Sequence, residues 1–164
     1  SGSASMLHLN DKNKVVIIGP PGSGKTHVAT VLGESSDLPI YRTDKFLGDG
    51  HVKALYSVID AAGDEGYIIE GMIGYRLLRK LKQLKLPPPD IVIQLEADDF
   101  MIEESYAKRN KVVNLKRLKA FCKAHETVLE DYYKLDGEEP AIWIHGSSQH
   151  VTKLLISKNW NDST

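Results

Sequence analysis

The sequence predicts an α/β domain in which a five-stranded parallel sheet is covered by helices on both faces. Short apolar runs alternate with amphipathic segments along most of the chain, and the connections between them are short. This alternation favours a parallel sheet, because neighbouring parallel strands are joined by a crossover helix. A glycine-rich segment at positions 19–26, between the first apolar run and the first amphipathic segment, points to the same class.

Five segments are predicted to form the strands of this sheet. Segment 14–18 is a lysine followed by four β-branched residues, as expected for a central strand that is buried on both faces. Segment 38–42 reads as a short second strand. The other three strands are apolar runs, at 67–69, 91–95 and 141–144.

Six segments are predicted to be helical, at 25–34, 52–62, 75–86, 99–107, 115–135 and 151–158. The three prolines at 87–89 are expected to stop the third helix, because proline lacks an N–H and clashes with the preceding turn. Asp98 is expected to cap the fourth helix. The fifth helix is expected to bury residues spaced three and four apart, namely Leu115, Leu118, Cys122, His125, Leu129 and Tyr132.

Composition indicates a single domain. The chain has 164 residues, enough for one substantial core. We expect residues 1–5 to be a cloning remnant and residues 6–164 to form one domain. The single cysteine predicts a reducing compartment. No apolar run approaches the roughly 18 residues of a membrane span, and we find no signal peptide, so we expect a cytoplasmic protein.

The segment 19–26 fits the Walker A pattern G-x-x-x-x-G-K-[ST], in the strand–loop–helix context that the motif requires. We expect its backbone N–H groups and the helix N-terminus behind it to bind the phosphates of ATP. In such loops the lysine reaches the β- and γ-phosphates and the hydroxyl binds Mg²⁺, so we assign these roles to Lys25 and Thr26. The predicted nucleotide-binding residues are Gly19, Pro20, Pro21, Gly22, Ser23, Gly24, Lys25 and Thr26. The motif specifies the fold class as a three-layer P-loop NTPase fold.

Further polar residues follow the second and third strands. They are Asp44, Glu70 and Arg76. In an open parallel sheet, ligands bind outside the carboxyl ends of the strands, so we expect these residues to converge beside the phosphate loop. Each also has a plainer interpretation: Asp44 as a helix cap, Glu70 as an exposed strand-end acid and Arg76 as a solvated helix residue.

This layout resembles that of the small P-loop kinases, which include nucleotide, nucleoside, shikimate and gluconate kinases. The resemblance covers residues 14–158 in layout, and the Walker A motif alone is specific. It implies ATP as phosphate donor, Mg²⁺ as its companion ion, and a nucleoside- or nucleotide-type acceptor. It also implies that Asp44 orients or deprotonates the acceptor hydroxyl, and that Glu70 reaches Mg²⁺ through water or contacts the acceptor.

The resemblance extends to three more residues. Gly71 would let the acceptor approach the backbone. Arg76 resembles the acceptor-phosphate arginine of nucleoside monophosphate kinases, although the run 71–76 is longer than theirs and lacks their proline. Arg109 lies in a basic segment at the position of the kinase lid, a mobile segment whose arginine contacts the transferring phosphate.

Two other functions stay open from the sequence. Residues 108–123 hold seven basic residues and no acidic one, and the chain resembles small bacteriophage kinases that phosphorylate the hydroxymethyl group of 5-hydroxymethyluracil in DNA. A DNA acceptor would use these cations for phosphate contacts. The other function is that of an ATPase that drives a partner, for which segment 67–70 is the only candidate Walker B strand.

Overall fold

The computed structural model describes residues 9–154, which contain one all-parallel sheet with the strand order β2-β3-β1-β4-β5. β1 occupies the centre and pairs with β3 on one side and β4 on the other. The strands are β1 (Lys14–Ile18), β2 (Ile40–Arg42), β3 (Tyr67–Glu70), β4 (Ile91–Glu96) and β5 (Ile142–Ser147). The predicted five-stranded parallel sheet is confirmed.

Helices connect the strands, and one further helical segment was not predicted. The helices are α1 (Lys25–Ser36), α2 (His51–Ala62), α3 (Gly74–Gln83), α4 (Asp99–Lys108), α5 (Leu115–Lys134) and α6, whose described part spans 148–154. A 3₁₀ helix, Thr43–Asp49, directly follows β2. None of the helices in residues 9–154 has the length and apolar character to cross a lipid bilayer.

The sheet separates two hydrophobic cores, so the predicted three layers are confirmed. On one face, the odd-numbered residues Val15 and Ile17 of β1 pack with α1 and with Val151 of α6. On the other face, Val16 and Ile18 pack with α2, α3 and α5. Successive side chains of a strand point to opposite faces, which is why one continuous apolar run supplies both cores.

The third helix ends earlier than predicted, and hydrogen bonds of its own backbone close it. α3 stops at Gln83, and Lys85 takes a left-handed conformation with φ 55°. The N–H of Leu86 donates to the carbonyl of Leu81 at 3.0 Å, and that of Lys85 donates to Lys82 at 3.2 Å. This pair of bonds is the Schellman arrangement, so the prolines follow a helix that has already ended.

The prediction of which residues the fifth helix buries is wrong in part. Leu115 is 53% exposed and Cys122 is exposed, whereas Leu118, Leu129 and Tyr132 are buried as predicted. Val128 is buried as well, so most of the burial falls in the last two turns of α5. In the first half of α5 only Leu118 is buried, so the apolar spacing of Leu115 and Cys122 does not correspond to packing there.

The last helix begins three residues before the predicted start at 151. The side chain of Ser147 accepts a hydrogen bond from the N–H of His150 at 3.1 Å, which is the bond of an N-cap residue. β5 accordingly runs to Ser147 rather than ending at 144. The predicted end of the helix at 158 lies outside the described residues.

One pair of variants tests the position of the core. Val92 of β4 is 0% exposed and Val112 is 93% exposed. Val92→Ala is expected to lower the free energy of unfolding by about 2 kcal/mol, because it removes two buried methyl groups and leaves a cavity. Val112→Ala, the same change at the surface, is expected to stay within about 0.5 kcal/mol of the original protein. Denaturant titration measures both, and equal effects would contradict this core.

Candidate active site

The carboxyl ends of β1, β2 and β3 lie side by side. Glu70, the last residue of β3, pairs with Ile17 of β1 and with Arg42 of β2. The segments that leave these strands therefore start from neighbouring points on one edge of the sheet. They are the phosphate loop 19–26, the 3₁₀ helix Thr43–Asp49 and the turn before α3.

The phosphate loop holds its own lysine in place. Lys25 is the first residue of α1 and is only 8% exposed. Its Nζ donates to the carbonyl oxygens of Gly19 at 3.1 Å and Pro20 at 2.9 Å. The ammonium thus lies inside the loop, at the N-terminus of a helix, where the backbone partial charge already favours an anion.

Burial lowers the pKa of Lys25 to about 8, against the opposing influence of the Glu70 and Asp44 carboxylates. The positive charge of Arg109 contributes further to the lowering. Four charged side chains from four segments therefore interact electrostatically at this edge. Asp44 and Glu70 belong to the set predicted to converge beside the phosphate loop, whereas Arg109 was expected in the lid and also influences Lys25.

A hydroxyl and a carboxylate meet beside Lys25. Thr26 Oγ1 donates to Glu70 Oε2 at 2.7 Å, and Glu70 is 3% exposed. The interpretation of Glu70 as an exposed strand-end acid is therefore wrong. Oxygen ligands of this kind suit Mg²⁺, which is held by few protein groups and completes its shell with water and phosphate oxygens. Residues 9–154 contain no cluster of three or more His, Cys, Asp or Glu side chains able to hold a metal ion.

Asp44 is exposed and lies in the first turn of the 3₁₀ helix. No capping hydrogen bond forms at the start of that helix, and the residue that precedes α2 is Gly50. The helix-cap interpretation is therefore wrong. The Asp44 carboxylate faces solvent near Lys25, where an incoming ligand can reach it.

Gly71 leaves room for a neighbouring residue of the chain. A Cβ built on Gly71 would lie 1.7 Å from Oγ1 of Thr43, and the φ angle of Gly71 is 142°. Thr43 is 0% exposed. The close approach that requires a glycine here is therefore the packing of β2's carboxyl end against β3's, and contact of Gly71 with an acceptor stays a prediction.

Arg76 is half-buried in the first turn of α3. Its Nε donates to the hydroxyl of Tyr75 at 3.1 Å. Arg76 is therefore partly buried rather than a solvated helix residue, and its contact with an acceptor phosphate stays a prediction.

Sequence reasoning missed several residues around this edge. A Cβ built on Gly24 would lie 2.6 Å from Cβ of Ser148, so the start of α6 borders the phosphate loop. The two serines at 147 and 148 are a helix-start signal that locates this end of α6. His125 packs its ring against Tyr75, with centroids 5.0 Å apart. No local motif marks that contact, because it joins two helices far apart in sequence.

Buried polar atoms without a partner concentrate here. Within the described residues there are four such side-chain atoms, namely Ser23 Oγ, Arg42 Nε, Thr43 Oγ1 and His125 Nε2. Burial lowers the pKa of His125, and the charges of Lys25 and His145 lower it further. Unsatisfied buried groups are rare and commonly mark a site that a ligand or water completes.

Comparison with known proteins supports the fold and does not identify a family. Neither a scan against protein-family models nor a search of curated proteins gave a match. A gluconokinase from Sinorhizobium meliloti is similar in structure, with a TM-score of 0.60 at 13% identity over 93% of this chain and 94% of that one. A deoxyadenosine kinase from M. mycoides has a TM-score of 0.53 at 14% identity, over 92% of this chain and 100% of that one. A shikimate kinase from Acinetobacter baumannii has a TM-score of 0.52 at 15% identity, over 92% of this chain and 94% of that one. At these identities the likeness establishes the fold.

Lys25→Ala tests the phosphate loop. Charge-assisted hydrogen bonds contribute roughly 1.5–3 kcal/mol each, so ATP affinity is expected to fall at least about 10-fold, as measured by calorimetry. The fold should persist, because the desolvation cost of a buried ammonium disappears with the side chain; we expect less than about 1 kcal/mol of lost stability. Lys53→Ala, at an exposed site on α2, is the matched control and should bind ATP like the original protein. Unchanged affinity in Lys25→Ala would contradict the site.

Proposed function

We propose that this chain is an ATP-dependent phosphotransferase that moves the γ-phosphate of ATP to a hydroxyl of a nucleoside- or nucleotide-type acceptor. The observation that carries the proposal is the group at the sheet edge: Lys25 buried in the phosphate loop, the hydrogen-bonded Thr26–Glu70 pair, and the exposed carboxylate of Asp44. Phosphoryl transfer depends on positioning and charge stabilisation, and these groups supply both.

On the donor side, the phosphate oxygens of ATP replace the carbonyls of Gly19 and Pro20 as partners of Lys25. The backbone N–H groups of the loop and of the first turn of α1 bind the same phosphates. Thr26 would hold Mg²⁺ directly and Glu70 through water. When bound, this ion neutralises charge on the β- and γ-phosphate oxygens.

On the acceptor side, the Asp44 carboxylate accepts a hydrogen bond from the attacking hydroxyl and aligns it with the γ-phosphate. Arg109, at the end of α4, stabilises the charge that spreads over the transferring group. Arg76 and Gly71 lie at the start of α3 and at the end of β3, where they border the acceptor position.

The similar structures support a small hydroxyl acceptor without selecting one. They are described as a gluconokinase, a deoxyadenosine kinase with dCMP and dCDP bound, and a shikimate kinase with shikimate bound. Their acceptors differ in chemistry on one fold, as expected when function depends on the site rather than on the architecture.

A second acceptor, the hydroxymethyl group of 5-hydroxymethyluracil in DNA, is favoured by one observation. The cations of the segment 108–123 are all exposed: Lys108, Arg109, Lys111, Lys116, Arg117, Lys119 and Lys123. Of these cations Lys108 pairs with Glu104 at 3.6 Å. Clustered exposed cations give salt-dependent affinity for a phosphate backbone. An enzyme that acts on a base in DNA also takes that base out of the stack, so this acceptor requires a strand that can open.

The proposal is tested by transfer of labelled γ-phosphate, in the presence of Mg²⁺, to a panel of acceptors. The panel holds free nucleosides and nucleotides, small alcohols such as shikimate and gluconate, and DNA with and without 5-hydroxymethyluracil. Label on a nucleoside, a nucleotide or modified DNA supports the proposal and chooses between the two acceptors. Label only on a small alcohol would show that the chain is a kinase but that the proposed nucleoside- or nucleotide-type acceptor is wrong. ATP hydrolysis with no acceptor labelled would overturn the proposal in favour of an ATPase.

Asp44→Asn tests the acceptor carboxylate. A positioned general base typically contributes 10²–10⁴-fold, so kcat is expected to fall by about 10²-fold or more while the affinity for ATP stays within about 3-fold. Asp49→Asn is the matched control, since Asp49 is an exposed acid on the same 3₁₀ helix, and it should keep full activity. Equal activity of the two variants would remove Asp44 from the mechanism.

A further inference from the structure

Helix α4 rests on the phosphate loop through an aromatic ring. A Cβ built on Gly22 would lie 3.1 Å from Cε1 of Tyr106 and 3.3 Å from Cγ2 of Ile102. Ile102 is 2% exposed, so this part of α4 is fixed by packing. Gly22 has φ 80°, and the absence of its side chain lets the Tyr106 ring approach the loop backbone. Helix α4 therefore contacts the phosphate loop in the described structure.

The same ring carries the guanidinium of Arg109. The Cζ of Arg109 lies 4.8 Å from the ring centroid of Tyr106, within the range of a cation–π interaction. Gly22, Tyr106 and Arg109 thus form one contiguous stack, with the phosphate loop on one side of Tyr106 and the lid arginine in contact with its ring.

The backbone of Tyr106 also fixes the position of the Arg109 backbone. Its carbonyl accepts the N–H of Arg109 at 3.0 Å and the N–H of Lys111 at 2.9 Å. The N–H of Asn110 donates to Ala107 at 3.0 Å, and Asn110 is left-handed with φ 53°. These bonds close α4 in a Schellman arrangement, so both the backbone and the side chain of Arg109 are set by Tyr106.

Arg109 is directed by this stack and by one backbone carbonyl rather than by a salt bridge. Its Nε donates to the carbonyl of Ser105, also on α4, at 3.4 Å. Its side chain is exposed and forms no ion pair with an acid of the described residues, whereas the adjacent Lys108 pairs with Glu104 at 3.6 Å. Arg109 nonetheless interacts electrostatically with Lys25. Two cations from separate segments therefore influence each other, and an anion bound beside both would be favoured.

We propose that Tyr106 is a positioning residue, which holds the Arg109 guanidinium over the phosphate loop. The guanidinium is then already in place when the transferring phosphate binds. This inference rests on the proposed function, because it assigns Arg109 a target. Tyr106 itself touches the loop and the arginine and is not assigned any contact with the substrates. The tyrosine hydroxyl has no part in the stack, so an unsubstituted ring should serve equally well.

The test compares Tyr106→Leu with Tyr106→Phe, each alone and combined with Arg109→Ala, using whichever acceptor of the panel is labelled. Misplacing a catalytic group by about 1 Å costs up to roughly 10²-fold, so Tyr106→Leu is expected to lower kcat by about 10- to 100-fold with the KM for ATP changed less than about 3-fold. Tyr106→Phe should retain activity. In the Arg109→Ala background, Tyr106→Leu should cause no further loss, because the group that it positions is absent.

A second readout does not depend on turnover. The Cδ protons of Arg109, which form no hydrogen bond, are expected to resonate upfield of those of a free arginine in NMR spectra of the original protein and of Tyr106→Phe, and to lose this ring-current shift in Tyr106→Leu. Wild-type kcat in Tyr106→Leu, or additive losses in the double variant, would overturn the inference and leave the proposed function standing. If the original protein labels no acceptor, the proposed function fails, and the absence of the upfield shift in that protein would overturn the Tyr106–Arg109 stack as well.

Discussion

The site depends on a buried ammonium held by the loop that surrounds it. Lys25 lies in the phosphate loop at a cost in desolvation, which lowers the pKa of its amine to about 8. The carbonyls of Gly19 and Pro20 and the nearby carboxylate of Glu70 offset that cost. A buried charge that is only partly compensated binds an anion strongly, because the anion supplies the missing interaction in a place with little water. The phosphates of ATP carry the negative charge that would compensate the Lys25 ammonium.

The parallel sheet brings the other groups to that ammonium. β3 lies between β1 and β2, so Glu70 ends beside the phosphate loop and beside Arg42 at once. Thr43 packs against Gly71, which fixes the start of the 3₁₀ helix that carries Asp44. The residues proposed to act on donor and acceptor are thus positioned by contacts between rigid elements, which is the arrangement that precise catalysis requires.

Much of this could be predicted because the signals are local. The alternation of strand and helix specified the sheet, and Asp98 caps α4 as expected, accepting the N–H of Met101 at 2.8 Å. Long-range contacts decided the rest. The burial of α5 shifts toward its C-terminal half, where Val128 and its neighbours meet the core, and spacing alone does not reveal where a helix leaves the core. The contact of Tyr106 with Gly22 joins residues far apart in sequence, so it leaves no trace in a local pattern.

The most direct test of this account is a crystal structure of the chain with Mg²⁺ and a non-hydrolysable analogue of ATP. The account predicts that Lys25 Nζ moves from the carbonyls of Gly19 and Pro20 to oxygens of the β- and γ-phosphates, and that the Thr26 hydroxyl coordinates Mg²⁺. A nucleotide bound away from the loop, or a Lys25 that keeps both carbonyl bonds with no phosphate beside it, would contradict the account.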